Sequence, residues 1–218
     1  MELDEAVRRR RMVRSFADRP LPAGLADRLV LSTLRAPSAG NTRGTAWVLL
    51  EGPEETARYW LAATTSDWRA SARRWPGLSR APVVAVSLAS PDAYLARYAE
   101  DDKAASGLGT APSAASDRTG AAAGSTGTLW TVPYWFADAA FCVHTLLLEA
   151  TAEGLGACFL GNFRGEDAVL DALGIPAGWR LFGAVVLGHP DGDDHPSPSL
   201  RRDAPAPASR VHHGRWQV

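Results

Sequence analysis

Apolar residues recur at helical spacing most regularly between Phe136 and Glu153. This pattern indicates an amphipathic helix, and because further Leu residues widen its apolar stripe, we expect the helix to be central and largely buried. Its expected core face consists of Phe136, Ala140, Val143, Leu147 and Ala150. Weaker helical patterns predict helices at Glu2–Arg10, Pro22–Arg35, Glu54–Ala63 and Glu166–Leu173.

Short runs rich in Val and Leu alternate with these helices and predict strands. The strands are expected at Ala46–Glu51, Pro82–Ala89, Ala157–Leu160 and Leu181–Leu187. Helices and strands are therefore mixed along the chain. A chain of 218 residues is long enough to bury about 70% of its unfolded surface without disulfides, so we expect one domain over residues 1–218.

Two stretches show neither the helical nor the strand pattern of apolar residues. Between Ser106 and Thr128 nearly every residue is Gly, Ala, Ser, Thr or Pro, a composition that buries too little apolar area to offset its ordering entropy. We therefore expect a flexible surface insertion at about 104–128, in preference to a linker between two domains, because the flanking segments are short for independent cores. The Pro-containing stretch at about 190–218 is expected to be an arm lying on a surface, such as that of a neighbouring subunit.

Charge and cysteine content exclude several functional classes. The 23 basic and 24 acidic residues give a formal net charge of -1. This balance argues against nonspecific electrostatic binding to nucleic acid or to an anionic membrane. The apolar runs fall short of the roughly 20 residues that a bilayer-spanning helix needs. Cys142 and Cys158 form no CxxC pair, and no signal-like segment follows the charged start, so we expect a cytoplasmic protein.

A basic cluster near the start is the first candidate for chemistry. It comprises Arg8, Arg9, Arg10, Arg11 and Arg14. Guanidinium groups bind phosphate through paired, charge-assisted hydrogen bonds. Taken alone, such a run is more often the solvated end of a helix. An arm that binds nucleic acid is a weaker alternative, because the chain offers no second basic patch.

The second candidate is the small, polar segment 36–42, Ala-Pro-Ser-Ala-Gly-Asn-Thr, directly after a predicted helix. Short side chains and exposed backbone amides there allow close approach of a ligand. The segment is one residue away from the G-x-S-x-G motif of serine hydrolases. However, Ala36 replaces the first Gly, and Pro37 follows a helix rather than a strand, so a hydrolase is a poor fit.

Together these segments resemble the nitroreductase family. Its Arg-rich start appears as Arg-Arg-Met-Val-Arg-Ser-Phe at 10–16, and its A-P-S-x-x-N motif at 36–41. Its helix, Gly-Leu-Gly turn and strand appear at 149–163, and its closing L-G-x-P at 187–190. Two departures are Met12, where the family usually has Ser, and Arg43-Gly44, where Gln-Pro is frequent.

The resemblance implies an α+β fold with a central, mostly antiparallel sheet packed by helices, and a homodimer whose subunits share two FMN sites. Arg10, Arg11, Met12 and Arg14 would hold FMN from one subunit, with Arg10 at the phosphate and Arg14 at the N1 and O2 edge of the flavin. Pro37, Ser38 and Asn41 would contact it from the other subunit. The backbone at Leu160 and Gly161 would face the ring, and Arg201 and Arg202 would complete the phosphate site.

The implied activity is a ping-pong reaction in which NADH or NADPH reduces bound FMN and a small organic acceptor, such as a nitroaromatic compound or a quinone, then takes the electrons. The cofactor does this chemistry, so no catalytic side chain is assigned. Two alternatives remain open: FMN-dependent dehydrogenation of a substrate with oxygen as acceptor, and sequestration of flavin without turnover. The substrate and the preferred nicotinamide remain open as well.

Other polar and aromatic residues have plainer interpretations. His144 is expected to be a buried core histidine rather than a metal ligand, because no zinc spacing accompanies it. His212 and His213 are neighbours on an extended tail and point in opposite directions, so joint coordination is not expected. The aromatic group of Trp130, Tyr134, Trp135 and Phe136 is either core packing or a wall over the flavin.

Overall fold

Helices and strands alternate along the chain much as the sequence predicts. The computed structural model describes residues 1–70, 75–110, 130–162, 165–195, 197, 201–203, 206 and 210–216. Its helices are α1 (Leu3–Arg9), α2 (Leu25–Thr33), α3 (Gly52–Ala63), α4 (Ser66–Ala70), α5 (Pro91–Tyr98), α6 (Tyr134–Ala152) and α7 (Glu166–Ala172). Its strands are β1 (Thr45–Glu51), β2 (Val83–Ala89), β3 (Gly156–Leu160) and β4 (Arg180–Gly188).

The strands form one sheet in the order β1-β2-β4-β3, and every neighbouring pair is antiparallel. A parallel bridge between Met12 and Ala157 adds the segment after α1 beside β3. The expected α+β fold with a mostly antiparallel sheet is therefore confirmed. The order places β1 and β3 at opposite edges of the sheet.

Helices cover both faces of this sheet. Val84 and Val86 of β2 face a core that includes Trp60 of α3 and Val169 of α7. Val83 and Ala85, which alternate with them, face a core shared with α2 and α6. Successive side chains of a strand point to opposite faces, so β2 is apolar throughout because both of its faces are covered.

The long helix α6 forms as predicted, but its core face is not the predicted one. Ala140 is exposed and Phe136 is half-buried. The side chains buried on α6 are Trp135, Asp138, Ala139, Cys142, Val143, Leu146, Leu147 and Ala150. A helix that is apolar nearly all round does not reveal its inner face by periodicity alone. His144, expected in the core, is exposed as well.

Two helices are not predicted by the sequence pattern. These are α4 and α5, which are short and carry no clear apolar stripe; α5 begins with Pro91 after Ser90, whose hydroxyl accepts a hydrogen bond from the Ala93 amide. The start of the expected insertion, 104–110, forms 3-10 turns, whereas 111–129 lies outside the described residues. Within the described part of the chain, no helix has the length and apolarity needed to cross a bilayer.

Candidate functional site

The basic segment after α1 is bonded along the edge strand β3. The Val13 amide donates to the Ala157 carbonyl at 2.9 Å, and the Phe159 amide donates to Met12 Sδ at 3.4 Å. The bridge between Met12 and Ala157 is parallel, so the segment runs in the same direction as β3. Arg14 therefore lies nearer the C-terminal end of β3 than Met12 does. Two of the predicted cofactor segments, Arg10–Arg14 and Leu160–Gly161, therefore lie at the same edge of the sheet.

The arginines of the cluster have different surroundings. Arg8 and Arg9 pair with Asp4 and Glu5, one turn earlier on α1, and so form the solvated helix face that the composition favours. Arg11 pairs with Asp194. Among the described residues, Arg10 forms no ion pair, so its charge is available to an anionic ligand.

Arg14 is half-buried, and its guanidinium carbon lies 5.0 Å from the centroid of the Trp75 ring. Its Nη1 donates to the Met12 carbonyl at 3.2 Å, and its backbone amide donates to Asp194 at 2.7 Å. The Asp194 side chain is 3% exposed. These contacts fix the guanidinium beside β3.

The first residues of the C-terminal stretch hold the same segment from the other side. Ser15 donates its hydroxyl to Asp191 at 2.7 Å, and Arg80 pairs with the same carboxylate. The Ser15 hydroxyl is the main reason that the pKa of Asp191 lies below its ordinary value. Arg201 and Arg202 are exposed.

An apolar cavity of about 520 Å³ opens beside the end of β3. Trp60 and Trp68 line it and stack with their ring centroids 6.1 Å apart. The indole nitrogen of Trp60 is buried without a hydrogen-bond partner among the described residues. Burial raises the pKa of Tyr59, another lining residue, to about 12. The remaining lining residues are Ala62, Ala63, Thr64, Thr65, Leu78, Leu160, Gly161, Asn162 and Gly165.

The segment 36–41 lies elsewhere, between α2 and β1. Pro37 and Asn41 are exposed and Ser38 is half-buried. The Ser38 hydroxyl accepts from the Arg43 amide at 2.8 Å, and the Asn41 side chain accepts from Arg43 Nε at 3.0 Å. Asn41 and Arg43 adopt left-handed φ values of 54° and 56°, which non-glycine residues seldom do.

This loop is supported from beneath by a side chain that the sequence reasoning missed. Asp138 of α6 accepts from the Ala39 amide at 2.8 Å and from the Tyr94 hydroxyl at 2.6 Å. Burial and the Asp138 carboxylate raise the pKa of Tyr94. The available signal was a carboxylate at position 138 among the apolar and aromatic residues of the first half of α6, because a buried charge requires hydrogen-bond partners.

One chain does not bring all predicted contacts together. The loop before β1 and the end of β3 lie at opposite edges of the sheet, roughly 14 Å apart if three strand spacings separate them. β3 runs towards the end of the sheet at which β1 starts, but Leu160 pairs with Ala184 and, through β4 and β2, lies level with Val48 rather than with Thr45. The Arg-rich segment with the end of β3, and the loop 36–41, are therefore two separate candidate half-sites.

Part of the aromatic group is core packing. Trp130 and Trp135 are buried around Tyr94, as core packing requires. Phe136 stacks on Phe182, which in turn stacks on Phe159 of β3. Tyr134 is 44% exposed.

Known proteins share this fold. A model of the Nitroreductase family matches residues 7–189. NfrA2 of B. megaterium superimposes with a TM-score of 0.67 and 18% identity, over 100% of this chain and 76% of the other. A Desulfovibrio desulfuricans protein solved in complex with FMN gives a TM-score of 0.60 and 20% identity, over 95% and 99%. A Parabacteroides distasonis protein, provisionally named an NADH dehydrogenase/NAD(P)H nitroreductase, gives 0.63 and 16%, over 98% of both. Likenesses at these identities show a common fold.

Proposed function

The chain belongs to the nitroreductase family, and we propose that it is an FMN-dependent oxidoreductase that takes electrons from NADH or NADPH and passes them to a small organic acceptor, such as a nitroaromatic compound or a quinone. The observation that carries the proposal is the position of the Arg-rich segment along β3, the strand that ends at Leu160 beside an apolar cavity.

The residues present suit FMN in charge and in shape. A flavin mononucleotide combines a dianionic phosphate with a flat, largely apolar ring. Arg10 is a cation that forms no ion pair with a described residue, and the cavity beside β3 has two stacked indoles in its wall. Guanidinium groups suit phosphate, and aromatic walls suit a planar ring.

Each half-site has a distinct task in this proposal. Arg10, with Arg201 and Arg202 from the C-terminal stretch, would hold the phosphate, while Arg11 and Met12 would contact the cofactor from the same segment. Arg14 would place its positive charge at the N1 and O2 edge of the ring. The bound flavin supplies the redox chemistry, and a nearby cation favours its reduced, anionic form. The Gly161 amide would lie at N5, where the missing side chain allows close approach.

A homodimer would complete both sites. Pro37, Ser38 and Asn41 would then contact the FMN held by the partner's basic segment. The apolar side chains exposed on one helical layer support such an interface, because large exposed apolar patches mark association surfaces. They include Leu3, Val7, Leu31, Leu34 and Phe141, each at least 46% exposed.

Cytoplasmic localisation belongs to the same proposal. Cys142 and Cys158 are both buried and form no disulfide. Unpaired thiols are typical of proteins kept in a reducing compartment.

Steady-state oxidation of NADH and NADPH by FMN-loaded protein tests the activity. Each nicotinamide is supplied with menadione, with a nitroaromatic compound, or with oxygen alone. Consumption that depends on the added acceptor supports the reductase. Bound FMN with no consumption under any of these conditions contradicts it and favours a flavin-sequestering protein.

A further inference from the structure

Asp138 is the one acidic or basic residue among the described residues that is buried as a whole, at 2% exposure, whereas Asp194 buries its side chain but pairs with Arg11. It lies on α6 between apolar neighbours of the core. Removing a carboxylate from water is costly unless hydrogen bonds replace the lost hydration. Its partners therefore indicate why it is there.

Both hydrogen-bond partners of Asp138 help to hold the loop that carries Ser38 and Asn41. The Ala39 amide donates to Oδ2 at 2.8 Å, and the Tyr94 hydroxyl donates to the same oxygen at 2.6 Å. Ala39 lies between Ser38 and Asn41, two of the three predicted FMN contacts of this loop. The carboxylate thus ties the middle of the loop to α6, and Tyr94 ties it to α5.

The same loop is held a second time by α5. Arg97 Nε donates to the Gly40 carbonyl at 2.9 Å. A Cβ at Gly40 would lie 2.8 Å from the Tyr98 ring, so the loop backbone packs directly on that ring. A Cβ at Gly44 would lie 2.6 Å from the Tyr94 ring. Glycine at 44, a departure from the family pattern, therefore makes room for the tyrosine that Asp138 binds.

The loop needs such support because its backbone is unfavourable. Gly40, Asn41 and Arg43 all have left-handed φ values, and non-glycine residues in that region persist only where their surroundings impose it. A loop without its anchors would have to be ordered again each time a ligand binds, which weakens binding.

We infer that Asp138 is a positioning residue, which fixes loop 36–41 so that Ser38 and Asn41 meet the FMN held by the partner subunit. This inference rests on the proposed function, because it presupposes that the loop contacts FMN. Asp138 touches neither FMN nor substrate, and it acts through Ala39 and Tyr94.

The test compares FMN binding by Asp138→Ala, Asp138→Asn and Tyr94→Phe with binding by the wild type. Apo-protein is titrated with FMN by fluorescence quenching, the visible circular dichroism of bound flavin is recorded at saturation, and the melting temperature of each apo-protein is measured. Asp138→Ala is expected to raise the FMN Kd about tenfold or more. Asp138→Asn is expected to recover part of this loss, because its amide oxygen can still accept one hydrogen bond.

Thr56→Val is the matched control. Thr56 is a buried polar residue whose hydroxyl donates to the Gly52 carbonyl at 2.9 Å. It lies on α3, which begins at the far end of β1, and a strand of this length spans on the order of 20 Å. We expect a lower melting temperature without a change in FMN affinity or in the flavin dichroism.

Three outcomes are decisive. Weaker FMN binding with altered dichroism in the Asp138 and Tyr94 variants, and not in Thr56→Val, supports the role. Variants that bind FMN as the wild type does, or a loss shared with Thr56→Val, overturn it while leaving the proposed function intact. Failure of the wild type to bind FMN overturns both. If Asp138→Ala does not fold, Tyr94→Phe and Asp138→Asn decide the question.

Discussion

The backbone amide of Val13 and the carbonyl oxygen of Ala157 form a 2.9 Å hydrogen bond between residues that are far apart in the chain. This bond places the Arg-rich segment along the edge strand that ends at Leu160. Gly156 permits the close approach, because a Cβ there would lie 2.8 Å from the Val13 side chain. A cationic segment and a strand end that could face a flavin ring thereby become neighbours.

Arg10→Ala is expected to weaken FMN binding by about 2 kcal/mol, the loss typical of a charge-assisted hydrogen bond. The reason is that Arg10, unlike its neighbours, forms no ion pair with a described residue. Isothermal titration of apo-protein with FMN measures the change. Arg9→Ala is the control, since Arg9 already pairs with Glu5. Equal affinities of the wild type and Arg10→Ala would contradict the assignment.

Phe141→Glu is expected to separate the subunits and to lower FMN occupancy with them. Phe141 is 49% exposed on α6, and a carboxylate there would have to be desolvated in an interface. Sedimentation velocity measures the separation of the subunits, and flavin absorbance measures the FMN occupancy of the same samples. Leu61→Glu, at a 64% exposed apolar position on α3 in the opposite layer, should change neither. A Phe141→Glu monomer that keeps full FMN affinity would refute the shared site.

Acid sensitivity should depend in part on Asp191. Its pKa in the folded chain lies below the ordinary value of 3.8, chiefly because Ser15 donates to the carboxylate. A depressed folded-state pKa stabilises the protein above the unfolded-state pKa, and this contribution is lost as the pH falls through the folded-state value. Urea unfolding between about pH 5 and pH 2 should therefore show a shallower loss of stability in Asp191→Asn than in the wild type. Parallel losses in the two proteins would rule out this role.

Both cysteines should resist alkylation in the native protein. Burial raises the pKa of the Cys158 thiol to about 11 and also raises that of Cys142. The thiolate is the reactive form, so both burial and protonation slow the reaction. Mass spectrometry after iodoacetamide treatment at pH 8 should find neither thiol modified without denaturant and both modified in urea. Rapid modification of Cys158 in the folded protein would contradict the packing around β3.

The sequence predicts the elements better than it predicts their contacts. β2 and β4 are recognisable as runs of Val and Leu because both sheet faces are covered. α5 is missed because it has no clear apolar stripe, although its Tyr94 and Arg97 hold the candidate site. The prediction of which face of α6 is buried is wrong for the opposite reason, because apolar residues surround this helix.

The site residues show a similar division. The family resemblance implies that Arg10–Arg14 and Leu160–Gly161 serve one site, and the structure brings these segments to one edge of the sheet. The role of Asp138 depends on long-range contacts with Ala39 and Tyr94, which no local pattern encodes. The partner of Arg11, Asp194, is likewise distant in sequence. The sequence offers no signal for that ion pair, because Asp191, Asp193 and Asp194 stand close together in a polar tail and no pattern shows which of them meets Arg11.

The most direct test of the central claim is an anaerobic absorbance spectrum of desalted protein reconstituted with FMN, recorded before and after addition of NADH or NADPH. The account predicts that protein-bound flavin bands remain after desalting and bleach when a nicotinamide is added. Protein that retains no flavin, or a bound flavin that neither nicotinamide reduces, would contradict it.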